Sequence, residues 1–210
     1  MEHAIGPVPP GDAGEGQYLI AHCSVAQRSR PPWRLTPQMI TANVPLVMTA
    51  NDVLAILAVL READVEVWIG GGWGIDALVG EQTRRHRDLD LMYRDNQEPA
   101  VVTALADTGF VQTLSWRPVR FVVADAAGRE IDLHPLTFAA DGSAVQASLD
   151  PERPFGYPAA CFVTGTIGGA TVPCLSPEQQ VYFHQGYEPA DHDRHDMAQL
   201  RRVFRIATHF

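Results

Sequence analysis

The stretch WIGGGWGIDALVGEQTRRHRDLDLMY, from Trp68 to Tyr93, decides the fold. Three glycines follow a β-branched segment and precede a segment with helical spacing, which predicts a strand, a tight turn and a short helix ending near Gly80. A basic cluster then leads into a second predicted strand that opens with Asp88 and Asp90. Because residues i and i+2 of a strand project from the same face, these two carboxylates are expected side by side.

Paired carboxylates indicate a cation site or a solvated strand face. Neighbouring carboxylates repel one another unless a cation lies between them, and Mg²⁺ binds oxygen ligands together with substrate phosphates. Asp132, between the apolar Ile131 and Leu133 of a later predicted strand, is the natural third carboxylate, as a metal ligand or as a general base. The three aspartates together predict a Mg²⁺ site, although Asp88 and Asp90 alone could be surface residues of an edge strand.

The glycines at residues 70–72 have the placement of a phosphate cradle. They lie between a predicted strand and a helix N-terminus, where backbone N–H groups and the helix dipole favour anions. Neither GxxxxGK[ST] nor GxGxxG is present, so a Walker A loop and a Rossmann dinucleotide site are not supported. Three arginines surround His86 between the glycines and the aspartates, and they could neutralise phosphate charge or form ion pairs with Asp76 or Glu81 on a helix surface. They are Arg84, Arg85 and Arg87.

Composition narrows the function classes. The chain has 210 residues, 46% of them hydrophobic, and a net charge of −9, which argues against a general nucleic-acid binder. The negative charge either suits a cationic small molecule or only keeps the protein in solution. Cys23, Cys161 and Cys174 form no CxxC pair, which favours a reducing cytoplasm. His192 and His195 allow a zinc site on the last predicted helix, but the spacing fixes no third ligand, and a polar helix surface is the favoured explanation. No apolar segment approaches the roughly 20 residues of a membrane span.

The chain divides into three parts. Residues 1–47 are rich in Pro and Gly without periodicity, which predicts a poorly ordered extension, and Met48 is a candidate for the natural start. Residues 48–138 are expected to form the core that carries the motifs. Residues 139–210 are expected to add a loop, a hairpin and C-terminal helices to the same domain.

These motifs resemble the DNA polymerase β-type nucleotidyltransferase superfamily, and within it the aminoglycoside-2''-adenylyltransferase and lincosamide nucleotidyltransferase group. The resemblance depends on Trp73 after the glycines, on Thr83-Arg84-x-His86 before the aspartates, and on the later EIDLHPL segment. It spans about residues 50–200, and the C-terminal part is nearer to the lincosamide side. The spacing between glycines and aspartates is longer than in the general superfamily, but the named group shares it.

The resemblance implies an α+β (mixed α/β) fold: a polymerase β-type nucleotidyltransferase core with a mixed sheet of about five strands, flanking helices and a C-terminal helical region. It implies that Asp88 and Asp90 hold two Mg²⁺ ions against a nucleoside triphosphate. Asp132 would complete the metal site or deprotonate the acceptor hydroxyl. The predicted nucleotide-binding residues are Gly71, Gly72, Trp73, Arg84 and His86.

Three further residues are candidates for the site that binds the acceptor molecule. By the same resemblance, Tyr187 and Glu188 approach the acceptor pocket, where an acidic residue suits a substrate with amines. His134 could orient Asp132 or contact a phosphate, and it could also be an ordinary structural histidine.

The predicted activity is transfer of a nucleoside monophosphate, AMP from ATP, to a hydroxyl of a small cationic molecule of the lincosamide or aminoglycoside type. One alternative is a nucleotidyltransferase that modifies a protein or RNA, as in toxin–antitoxin pairs. The other is a nucleotide-binding regulator that has lost catalysis. The presence of all three carboxylates argues against this second alternative. A cytoplasmic monomer or homodimer is expected, without membrane or nucleic-acid partners.

Overall fold

The computed structural model describes residues 47–210, so the predicted extension and the question of a start at Met48 fall almost entirely outside it. The helices are α1 (Ala50–Glu62), α2 (Gly71–Val79), α3 (Glu98–Asp107), α4 (Pro177–Phe183) and α5 (Asp191–Phe204). The strands are β1 (Val67–Ile69), β2 (Asp88–Arg94), β3 (Val111–Trp116), β4 (Arg120–Ala124), β5 (Glu130–Phe138), β6 (Ala144–Gln146), β7 (Phe155–Tyr157), β8 (Phe162–Ile167) and β9 (Ala170–Leu175).

The strands form one mixed sheet in the order β3-β4-β5-β2-β1-β9-β8, and β6 and β7 extend from β5. The strand β2 is parallel to β5, and β1 is parallel to β9, whereas the hairpins β4–β5 and β8–β9 are antiparallel. The predicted α+β class with flanking helices is confirmed. The sheet has more strands than the five expected, because the predicted hairpin joins it through β1 and because residues 139–165 contain short strands with few sequence signals.

Local capping sets the helix limits that the sequence predicts. The Thr49 hydroxyl accepts a hydrogen bond from the Asp52 backbone, and the Asp52 carboxylate accepts one from the Thr49 backbone at 2.9 Å. The helix α4 begins after Ser176, whose side chain accepts from the Gln179 backbone. The helix α2 ends at Gly80 in a left-handed conformation, as predicted. Within residues 47–210, no helix combines the length and apolar character that a membrane crossing requires.

Alternating burial in β2 and β5 fixes which face carries the carboxylates. Leu89 and Leu91 of β2, and the neighbouring residues of β5, are fully buried in the main core with α1 and α3. Asp90 and Met92 lie on the opposite face, where Met92 joins a second apolar cluster. A register slip by one residue would bury the carboxylates and expose the leucines, so the core specifies the side of the sheet on which the site forms.

Candidate active site

The parallel pairing of β2 with β5 brings the predicted residues together. Asp90 lies opposite Asp132, and Met92 lies opposite His134. One oxygen from each of these two aspartates and one ring nitrogen of His134 lie within 4.8 Å of one another, an arrangement that could hold a metal ion. Asp88 begins β2 on the same face but is exposed and lies outside this group. The candidate metal centre is therefore built on Asp90 and Asp132, next to His134, and a metal-binding role for Asp88 stays a prediction.

The two carboxylate oxygens of Asp132 differ in their hydrogen bonding. Arg120 donates from Nη1 to its Oδ2, and both side chains are largely buried. The other oxygen, Oδ1, is buried and accepts no hydrogen bond from the described residues. Burial raises the pKa of Asp132, as does Asp90, against the opposing effects of His134 and Arg120. An unsatisfied buried carboxylate oxygen is costly, and Mg²⁺ takes such oxygens, so these residues fit the predicted metal.

His134 lies between the two carboxylates. Its Nε2 is 3.4 Å from Asp90 Oδ1 and 3.6 Å from Asp132 Oδ1, and its Nδ1 is 3.0 Å from Nε2 of Gln146. Burial lowers the pKa of His134, but Asp132 and Asp90 outweigh this effect, so the pKa lies above its ordinary value. His134 is placed to orient the carboxylates, whereas a contact with phosphate stays a prediction.

Gly71 and Gly72 allow close approach to the N-terminus of α2. Gly71 has a φ of 53°, and a Cβ at this position would overlap the Asp90 carboxylate. A Cβ at Gly72 would overlap the tips of Arg84 and His86. The absence of side chains here lets a carboxylate and two basic groups surround the first helical turn, where backbone amides favour anions.

Gly71→Ala is expected to lower turnover about 10- to 100-fold, because the new methyl group displaces Asp90 from the centre. The left-handed backbone adds a stability loss of about 1 kcal/mol. Gly80→Ala is the matched control, since Gly80 also has a positive φ, of 85°, but a Cβ there meets nothing within 4 Å. Thermal unfolding and steady-state transfer rates check this prediction. Equal turnover in the two variants would show that the overlap is harmless.

Trp73 and His86 support α2 from within the protein. The Trp73 side chain is buried, and its ring centroid is 4.7 Å from that of His86. His86 is also buried and pairs through Nε2 with the Asp76 carboxylate. Asp76 accepts two further hydrogen bonds, from the Thr83 backbone at 3.0 Å and from its hydroxyl at 2.7 Å. These contacts are structural, and direct nucleotide binding by Trp73 or His86 stays a prediction.

Arg84 forms its ion pair with a residue that the sequence did not indicate. Its Nε and Nη2 donate to the two oxygens of Asp196 in α5, at 2.8 and 2.6 Å. The ion-pair partners considered from the sequence, Asp76 and Glu81, were wrong. Asp76 is occupied by other donors, and Glu81 faces Arg202 at 3.4 Å. Burial lowers the pKa of Arg84, but Asp196 outweighs it and raises the pKa.

A cleft of about 670 Å³ opens in front of Asp90, Asp132 and His134. Arg120, Asp150 and other polar residues lie along it, but most of its wall is apolar. Its aromatic lining residues are Trp116, Phe155, Tyr157, Tyr182 and Phe183. Such a cleft has the size of a small-molecule site.

Tyr187 and Glu188 do not line this cleft, although the preceding residues 184–186 do. Glu188 is exposed and forms an ion pair with Arg194 at 3.2 Å, and burial raises the pKa of Tyr187. Their contact with an acceptor stays a prediction. Within the described part of the chain, His192 and His195 belong to no group of three potential metal ligands, so the zinc alternative gains no support.

Two residues beside the candidate centre, Arg120 and Gln146, were not predicted from the sequence. Alternation in RFVVAD could have identified the first, because Val122 pairs with Asp132 and Arg120 lies two residues earlier on the same face. No signal marks Gln146, which lies in a strand of three residues.

Comparison with known proteins identifies the family of this chain. The family model described as aminoglycoside-2''-adenylyltransferase matches residues 52–200. A lincosamide resistance protein from Staphylococcus haemolyticus is 30% identical over 156 residues, which cover 74% of this chain and 96% of that protein. A 2''-aminoglycoside nucleotidyltransferase from Escherichia coli is 32% identical over 146 residues, which cover 63% of this chain and 72% of that protein.

Two solved structures of antibiotic-modifying enzymes are similar to this chain. The crystal structure of a lincosamide antibiotic adenylyltransferase bound to lincomycin has a TM-score of 0.69 and 30% identity, covering 75% of this chain and 99% of that chain. The crystal structure of ANT(2'')-Ia with adenylyl-2''-tobramycin has a TM-score of 0.57 and 22% identity, covering 74% and 88%, and shares the fold. The match over residues 52–200 and the near-complete coverage of the lincosamide resistance protein establish that this chain is a nucleotidyltransferase of the aminoglycoside-2''-adenylyltransferase family.

Proposed function

We propose that the enzyme transfers AMP from ATP to a hydroxyl of a lincosamide-like antibiotic, in the presence of Mg²⁺. The observation that carries the proposal is the Asp90–Asp132 pair, with its open carboxylate oxygen, at the end of a largely apolar cleft. The similarity to a lincosamide resistance protein over 96% of its length supports the choice of acceptor. The use of ATP supports a cytoplasmic location.

The candidate residues have separate proposed roles in binding metal ions and phosphate. Asp90 and Asp132, with Asp88 at the start of β2, would hold two Mg²⁺ ions. Bound Mg²⁺ supplies charge stabilisation for the attacking and leaving oxygens at the α-phosphorus. The first turn of α2 at Gly71 and Gly72 would bind phosphate oxygens through backbone amides.

The acceptor hydroxyl needs a base. Asp132 is the candidate, as an alternative to its role as a metal ligand, because one oxygen cannot bind a cation and take up a proton at once. Its Oδ1 accepts no hydrogen bond from the described residues, and burial raises the pKa of the carboxyl, which suits proton uptake. The hydroxyl oxygen then bonds to the α-phosphorus of ATP, the bond to the bridging oxygen breaks, and pyrophosphate leaves. The protein contributes mainly position and charge to this step.

The lining of the cleft favours an acceptor with few amines. Asp90 and Asp132 are assigned to the metal centre, Asp150 lies 4.0 Å from Arg153, and Arg120 adds positive charge. An aminoglycoside carries several ammonium groups, each of which loses hydration on entering a cleft without a matching carboxylate. A lincosamide has an apolar part that can lie against the aromatic wall. The limited volume also favours a small molecule over a protein or RNA acceptor.

Pyrophosphate release by the purified full chain tests the proposal, with Mg²⁺, each of four nucleoside triphosphates, and panels of lincosamides and aminoglycosides. We expect turnover with ATP and lincosamides, a product heavier by one adenylyl group, and complete loss of activity with EDTA that added Mg²⁺ restores. Turnover with aminoglycosides alone would overturn the acceptor class. No pyrophosphate with any combination would overturn the proposal as a whole.

A further inference from the structure

Two buried polar side chains lie beside the centre without a role in the chemistry above. Gln146 is 5% exposed and Tyr157 is 1% exposed. Tyr157 belongs to the apolar cluster that contains Met92 and Leu175, where phenylalanine would pack as well. Because a buried amide or hydroxyl is costly unless it is hydrogen-bonded, their hydrogen-bond partners are informative.

The hydrogen bonds of Gln146 fix its orientation. The Tyr157 hydroxyl donates to Oε1 of Gln146 at 2.6 Å. The amide nitrogen, Nε2, donates to the backbone oxygen of Val119 at 3.0 Å and lies 3.0 Å from Nδ1 of His134. A backbone carbonyl can only accept, so Val119 requires the nitrogen of the amide on this side. In the neutral ring Nδ1 of His134 is therefore an acceptor, and Nε2 carries the hydrogen.

That hydrogen is directed at the two aspartates. The distances of 3.4 Å from Nε2 to Asp90 and 3.6 Å to Asp132 place it between two groups of like charge. The N–H offsets their repulsion, as in other sites where a second partner orients a ligand. A nitrogen that carries a hydrogen has no lone pair to give to a metal ion, so in this tautomer His134 can orient the carboxylates but cannot bind a metal ion.

We propose that Gln146 is a positioning residue for the metal centre. Held by Val119 and Tyr157, it fixes the His134 ring with Nε2–H toward Asp90 and Asp132, and so holds both carboxylates ready for a divalent cation. The inference rests on the proposed metal-dependent function. It adds a residue from β6, on the opposite side of His134 from the aspartates.

Gln146→Met tests the proposal, because methionine keeps the length of the side chain and removes its hydrogen bonds. Nitrogen NMR of the His134 ring in the metal-free protein reads the tautomer directly. The wild type is expected to carry hydrogen on Nε2, and the variant is expected to lose this preference. Calorimetry with Mn²⁺ alone is expected to show about tenfold weaker binding, in the range seen when partners of metal ligands are removed. In turnover, kcat is expected to fall while the acceptor KM stays the same.

Gln179→Met is the matched control, because Gln179 is equally buried and donates to the backbone oxygen of Gly156 at 2.9 Å without contacting His134. It is expected to lower stability while leaving the ring tautomer and Mn²⁺ affinity unchanged. A Gln146→Met variant with the wild-type tautomer and affinity would overturn the inference, as would equal changes in both variants. If Mn²⁺ does not bind the wild type, the proposed metal dependence fails, and the NMR result still decides the role of Gln146.

Discussion

Asp90→Asn is expected to lower kcat/KM for nucleotidyl transfer about 1,000-fold, which corresponds to about 4 kcal/mol of transition-state stabilisation. The amide keeps the shape that fits beside Gly71 but removes the charge that is proposed to hold a cation. Stability is expected to stay the same or rise, because Asp90 lies next to Asp132 and raises its pKa through like-charge repulsion. Pyrophosphate release and thermal unfolding measure the two effects separately.

The control for this substitution is Asp107→Asn, at the exposed C-terminal end of α3 and away from the cleft. It makes the same chemical change and should leave kcat/KM at the wild-type value. If Asp90→Asn keeps more than about a tenth of the activity, Asp90 does not belong to the metal centre.

Short-range sequence patterns were sufficient to predict which face of a single strand carries the aspartates. Leu89 and Leu91 alternate with Asp88 and Asp90, and burial of the leucines against α1 and α3 decides where the aspartates point. Asp132 follows from the same alternation in β5. Period-two patterning reports the face of a strand directly, because a strand has only two faces.

Local sequence patterns do not predict contacts between distant segments of the chain. The parallel register that sets Asp90 opposite Asp132 is a property of two strands about 40 residues apart, and local periodicity does not encode it. Gln146 reaches His134 through a strand of three residues that has no pattern of its own. Arg84 had two nearby carboxylates as candidates, but the fold supplies a buried one 112 residues away. Tertiary packing, not sequence distance, selects such partners.

Asp196→Ala is expected to lower the free energy of unfolding by about 3 kcal/mol, and the Tm by roughly 6–12 °C. The Asp196 side chain is 2% exposed and binds Arg84 through both oxygens. Its removal leaves a largely buried guanidinium without its counter-ion, which costs more than the pair itself contributes. Because the tip of Arg84 lies against Gly72, the loss is also expected to loosen the first turn of α2 and to raise the KM for ATP.

The pair between Glu81 and Arg202 provides the comparison, because it links the chain just after α2 to the same helix α5. Both of its side chains are more than half exposed, so Glu81→Ala should change stability by less than about 0.5 kcal/mol. Replacing both Arg84 and Asp196, with Met and Leu, should recover most of the stability lost in Asp196→Ala, since no buried charge is left unpaired. Urea unfolding measures all three variants. If Asp196→Ala costs no more than Glu81→Ala, or if the double variant recovers nothing, the unpaired charge of Arg84 is not what destabilises the protein.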